Sequence, residues 1–92
     1  MATLFSDNMQ KSRFEYAIDG ATVFANYRRE GSTLYIDYVE APPELRGTGA
    51  AGNLMRSIID FAQERGLKVI PICGYAASWM VSNKERKNGI RT

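Results

Sequence analysis

The sequence predicts an α+β fold with the element order β-β-β-α-β-α, and three observations carry that prediction. Apolar and polar residues alternate between positions 13 and 40 and are interrupted twice by turn residues, the pattern of an antiparallel meander. A one-face apolar stripe then runs through positions 54–62, the mark of an amphipathic helix. Finally, a short apolar run at positions 67–73 follows a glycine and returns to the sheet as one parallel crossover strand, expected to be right-handed.

Each element has its own local reason. Residues 1–11 are mixed and polar and read as loose up to about Ser12. From Arg13 to Ile18, Phe14, Tyr16 and Ile18 alternate with Arg13, Glu15 and Ala17, and Asp19-Gly20 follows as a strong two-residue hairpin signal. Ala21 to Arg29 is rich in β-branched and aromatic residues, after which Glu30-Gly31-Ser32 turns the chain back. A third strand fits Thr33 to Glu40, with Leu34, Ile36 and Tyr38 on one face, and Pro42-Pro43 ends it because neither residue can donate to a ladder.

In the helix, Leu54, Met55, Ile58, Ile59, Phe61 and Ala62 oppose Asn53, Arg56, Asp60, Gln63 and Glu64, and Gly66 supplies the stop. The run Leu67 to Cys73 is too short for a further helix and reads as a central strand covered on both faces. Gly74 breaks it, Tyr75 to Val81 reads as a short second helix, and Ser82 to Thr92 is polar and basic. Phe14, Tyr16, Phe24, Tyr27 and Tyr35 fall on two alternating faces and read as sheet packing, and Trp79 reads as a core contact.

Composition limits the function. A chain of 92 residues is expected to be one domain, residues 1–92, whose single modest core leaves any large ligand on an open surface. With 45% hydrophobic and 24% charged residues it reads as a globular protein, and a net charge of +2 gives no support for a dedicated nucleic-acid binder. Lys84, Arg86, Lys87 and Arg91 against Glu85 make the tail locally basic, read as a solvated terminus rather than as a nucleic-acid or outer-phosphate site. One cysteine, Cys73, forms no internal disulfide, and with no membrane span or export signal a cytoplasmic location is expected. The absence of histidine removes Ser-His-Asp triads, Cys-His dyads and histidine metal sites, so no metal is expected.

The segment with the clearest chemistry is Arg46-Gly47-Thr48-Gly49-Ala50-Ala51-Gly52, between the proline stop and the helix. Its glycines let backbone amides crowd together, and the helix adds unpaired N–H groups and a positive dipole end, so the segment reads as a phosphate cradle. The spacing also fits G-x-G-x-x-G. A dinucleotide site, however, needs the glycines directly after the first strand of a parallel unit and an acid about 20 residues on, and neither is present. A Walker A loop fails because no Gly-Lys-Ser/Thr follows.

The stretch Glu40-Ala41-Pro42-Pro43-Glu44-Leu45-Arg46-Gly47-Thr48-Gly49-Ala50-Ala51 resembles the GNAT superfamily of acetyl-CoA-dependent N-acetyltransferases, whose pyrophosphate loop follows Q/R-x-x-G-x-G/A, matched here by Arg46, Gly49 and Ala51. Downstream, Glu64-Arg65-Gly66-Leu67-Lys68-Val69-Ile70-Pro71-Ile72-Cys73 is similar to a subgroup of short, single-domain members with a strand ending in Pro-x-Cys. The resemblance implies that the strands flanking the helix splay apart, with the pantetheine arm beside Tyr38, Val39 and Glu40. It further implies that the amides of Arg46, Gly47, Thr48, Gly49, Ala50 and Ala51 receive the pyrophosphate, and that the thioester lies near Cys73 and Gly74.

The same resemblance implies acetyl transfer to a primary amine, with a backbone N–H of the splayed strand stabilising the oxyanion. Cys73 then reads as acetyl acceptor, as acid for the leaving sulfur, or as a core residue. Short members often carry a histidine where this chain has Tyr38, and a tyrosine is a poor base at neutral pH. Direct attack by a neutral amine, or a water held by Glu40, replaces that path, although Glu40 also reads as an ordinary strand-end carboxylate. The acceptor is either a small amine or a protein tail reaching an open groove, or a homodimer partner completes the site. A non-catalytic CoA- or acyl-CoA-binding module stands as the alternative.

Overall fold

The computed structural model describes residues 4–83, in which five strands form one mixed sheet ordered β1-β2-β3-β4-β5. The strands are β1 (Leu4–Asn8), β2 (Arg13–Ile18), β3 (Ala21–Glu30), β4 (Thr33–Glu40) and β5 (Lys68–Pro71). Helix α1 (Ala50–Glu64) connects β4 to β5, which pair in parallel, and α2 (Gly74–Asn83) follows β5. The other strand pairs are antiparallel, so the meander and single crossover expected from the sequence are present. The basic tail, including Lys84, Arg86, Lys87 and Arg91, lies outside the described residues.

The hairpin at Asp19-Gly20 has φ of 50° and 84°, the doubly left-handed turn whose twist suits two antiparallel strands. At the end of α1, the Leu67 N–H reaches Ala62 O at 2.8 Å and the Gly66 N–H reaches Gln63 O at 3.3 Å, closing the helix in a Schellman arrangement. Buried Leu54, Met55, Ile58, Ile59 and Ala62 of α1 meet Phe14, Val23, Ala25, Leu34, Ile36 and Val69 from the sheet in one core. Phe14 is its aromatic centre, stacked between Phe5 at 5.6 Å and Tyr27 at 4.5 Å and met edge-on by Phe61 at 5.1 Å. The Tyr27 hydroxyl donates to Asp7 Oδ1 at 2.6 Å, and burial together with that carboxylate pushes its pKa up to about 12. On the other sheet face Phe24 and Tyr35 lie under the guanidinium groups of Arg13 and Arg28, at 4.3 and 4.7 Å.

Three expectations change. The amino-terminal segment is not loose throughout: Leu4–Asn8 forms β1, adding a strand at the front of the predicted order. Its ordering comes from pairing with β2, which sets Phe5 opposite Tyr16 and against Phe14, rather than from any local pattern. The apolar run at positions 67–73 is not a central strand: only Lys68–Pro71 pairs, and among the described residues β5 is an edge whose sole partner is β4. Its apolar character serves packing on α1 and α2, and Pro71 at that edge removes a donor.

The third change bears on the site. Tyr38 does not share a face with Leu34 and Ile36, because β4 carries a bulge. Tyr27 pairs with Ile36 and Asn26 with Tyr38, leaving Asp37 as an extra residue. Alternation therefore reverses, so that Val39 packs on the core while Tyr38 is 49% exposed.

Candidate functional site

The bulge and the length of β5 together open a fork. The β4–β5 register stops at Ile36 and Pro71, while β4 continues to Glu40 along β3. The Ile36 carbonyl closes the crotch by accepting from the N–H groups of both Ile72 and Cys73, at 2.9 and 3.0 Å. Beyond it the edge of β4 from Asp37 to Glu40 has no strand from β5 beside it.

The glycine loop sits at the mouth of this fork. After β4, a single turn of 3-10 helix at Pro43–Leu45 anchors the chain through buried Leu45. Gly47 and Gly49 then adopt φ of 78° and 88°, values that side-chain-bearing residues reach only with strain. A Cβ built on either meets nothing within 4 Å, so the positive φ, and not packing, calls for glycine there. Gly52 differs, because its Cβ would lie 3.2 Å from Trp79 Nε1 and 3.8 Å from the Tyr75 hydroxyl, so its missing side chain lets α2 approach α1.

A cleft of about 320 Å³ results, lined by Ala41, Leu45, Arg46, Gly47, Gly49, Ala51, Gly52 and Tyr75. Within the loop the N–H groups of Arg46, Thr48 and Ala50 are occupied, by Pro43 O at 3.2 Å, Leu45 O at 3.3 Å and Thr48 Oγ1 at 3.2 Å. The Thr48 hydroxyl also donates to Leu45 O at 2.6 Å. Thr48 is thus a brace, and the loop and first helical turn line the cleft through Arg46, Gly47, Gly49, Ala51 and Gly52, at the positive end of α1. An anion of phosphate size fits such a surface chemically.

Around the fork, the Tyr38 hydroxyl donates to Glu40 Oε1, while Glu40 Oε2 lies 3.9 Å from Arg46 Nη2. Arg46 is also tied by an Nε–H hydrogen bond to Ala41 O at 3.0 Å, so its side chain lies back toward β4. The Glu40 carboxylate, by accepting that hydrogen bond and by its charge, pushes the Tyr38 phenol above its ordinary pKa, with a smaller contribution from Cys73. Tyr75 is also raised, by partial burial first and by Cys73 second. Both phenols are therefore protonated at neutral pH, and Tyr38 is not a base there. Cys73 is half-buried and immediately precedes α2, its carbonyl accepting from the Ala77 N–H at 2.9 Å, while Gly74 is exposed at the first helical position.

The fork thus gathers Tyr38, Glu40, Arg46 and Cys73, and it directs Val39 away into the core. Tyr75, Ala41 and Leu45 are additions that sequence reasoning missed. The only local signal for Tyr75 was a tyrosine directly after the helix-opening Gly74. Among the described residues no cluster of three His, Cys, Asp or Glu could hold a metal, and no helix is long and apolar enough to cross a membrane.

A family model described as GCN5-related N-acetyl-transferase matches residues 13–88. The solution structure of a GCN5-like N-acetyltransferase candidate from Staphylococcus aureus superposes with a TM-score of 0.73, covering 96% of this chain and 87% of that one at 21% identity. At that identity the likeness is one of fold. No curated protein matches the sequence.

Proposed function

The chain belongs to the GCN5-related N-acetyl-transferase family, an acetyltransferase in class, and on that premise we propose that it binds acetyl-CoA at the fork and transfers the acetyl group to a primary amine. One observation carries the reading: two left-handed glycines present open backbone at the positive end of α1, at the mouth of a gap between β4 and β5. The pyrophosphate would be held by the cleft-lining segment at Gly47, Gly49, Ala51 and Gly52, with Arg46 beside it. The pantetheine arm would run along the β4 edge at Tyr38, Val39 and Glu40 and bring the thioester toward Cys73 and Gly74. Acetyl-CoA supplies the activated carbonyl.

With Tyr38 protonated and Glu40 engaged by Tyr38 and Arg46, the attacking amine arrives neutral rather than being deprotonated by a side chain. As the amide bond forms and the C–S bond breaks, the amine gives up one proton and the departing sulfur takes one up; Cys73 and the Tyr75 phenol lie beside the fork as the groups that relay it. Supply of this thioester fits a single cytoplasmic domain, and the open groove suits a small amine, a protein tail or a second copy of the chain.

The protonated state of Tyr38 and the lack of histidine also favour a second reading, a CoA-binding module without turnover. Thermal shift with acetyl-CoA, CoA, NAD and a short oligonucleotide, followed by intact-mass measurement, separates the two. Acetyl-CoA and CoA are expected to raise the melting temperature while NAD and the oligonucleotide do not. An adduct of about 42 Da on an added amine or on Cys73 marks transfer, and stabilisation without any adduct marks the module. No response to either CoA species at millimolar concentration would sink both.

A further inference from the structure

We propose that Arg28 and Asp37, neither of which lines the cleft, form a clamp that holds the β4 bulge and so positions the Tyr38–Glu40 edge. The proposal rests on the reading of that edge as the pantetheine track. A bulge leaves one residue without a cross-strand partner, and here that residue is Asp37. Arg28 on β3 grips it with two parallel hydrogen bonds, Nε–H to Oδ2 at 2.9 Å and Nη2–H to Oδ1 at 3.1 Å.

The guanidinium is held by two further neighbours. The Arg28 guanidinium also lies over the Tyr35 ring at 4.7 Å and 3.7 Å from Glu30 Oε2, which restricts the arginine before it meets Asp37. An isolated exposed ion pair contributes little, but a two-point, pre-oriented arginine fork is the geometry in which such a pair does contribute. The alternative it opposes is specific. If β4 regularised by absorbing Asp37 into the ladder, every later side chain would change face, turning Tyr38 toward the core and Val39 toward solvent. Alignment of Tyr38 and Glu40 at the fork therefore depends on Asp37 remaining the extra residue of β4, and Arg28 is the side chain that grips it there.

The test uses Arg28→Ala, Asp37→Asn, the double variant and Arg28→Lys, which keeps the charge but not the planar two-point grip. Amide hydrogen exchange at Tyr38, Val39 and Glu40 is expected to speed up roughly fivefold in all four, with no change at Val23 or Leu54 in the core. Affinity for CoA, followed by the fluorescence of Trp79, falls by a similar factor of about five, and the double variant is no worse than either single one. Unchanged exchange at Tyr38–Glu40, additive losses in the double variant, or wild-type behaviour in Arg28→Lys overturns the clamp. If the unaltered chain binds no CoA, the reading of the fork as a CoA site fails, while the exchange data still decide whether the clamp exists.

Discussion

The sheet beneath α1 and the fork between β4 and β5 share strands, yet one is sealed and the other held open. Under α1, Phe14, Ile36, Leu54 and Ile58 are fully buried and aromatic rings pack three deep around Phe14. At the fork Tyr38, Ile72 and Tyr75 are 49%, 54% and 42% exposed, and hydrogen bonds rather than packing fix the geometry. Burial supplies stability without demanding any particular chemistry, whereas the fork keeps backbone and polar groups uncovered where a ligand can reach them. The contrast implies that stability and binding can be altered separately.

Two substitutions should separate them most clearly. Phe14→Ala removes a fully buried ring and its three aromatic neighbours' contacts, and is expected to lower unfolding stability by about 3–5 kcal/mol in urea titration. CoA affinity of the remaining folded fraction should not change. Gly49→Glu does the reverse. The residue sits at φ 88° with open space where a Cβ would go, so strain is limited to roughly 1–2 kcal/mol. A carboxylate placed in the cradle should nevertheless weaken CoA binding by about 100-fold or more, since like charges a few ångströms apart in a half-exposed site repel by several kcal/mol. Retained affinity would put the phosphates elsewhere, and a stability loss as large as that of Phe14→Ala would erase the distinction between the two regions.

The sealed region was the more legible in sequence. Alternation in Arg13–Ile18 and Thr33–Glu40 and the stripe from Leu54 to Ala62 report burial directly, because burial is what creates those periods. Strand β1 escaped notice because a five-residue edge with Ser6, Asp7 and Asn8 has no apolar period of its own and is ordered by β2. At the fork the loop glycines were visible, since positive φ narrows the choice of residue, but the bulge was not. Asp37 is unremarkable in sequence, and its extra position follows from pairing with β3 and the grip of Arg28. The displaced phase of Tyr38 and Val39 follows from that single residue.

Gly52→Ala probes the border between the regions and is expected to have the smallest effect. Two opposing terms meet there. Alanine is the better helix former, favoured over glycine by up to roughly 0.5–1 kcal/mol and by less in a first turn such as this, while the new methyl would lie 3.2 Å from Trp79 Nε1 and force the indole to give by a few tenths of an ångström. Trp79 is only partly buried, on a ten-residue helix that contributes Ala76 and Met80 to the core, so the ring can move without opening that core. Unfolding stability should therefore change by less than about 1 kcal/mol, the two terms nearly cancelling. The displaced indole should shift its emission, and because the Tyr75 hydroxyl lies 3.8 Å from the same point, CoA affinity should fall about two- to threefold as the cleft wall moves. A stability loss of several kcal/mol would instead mean that the α1–α2 contact belongs to the sealed core, and that the opening at the fork is rigid on both sides.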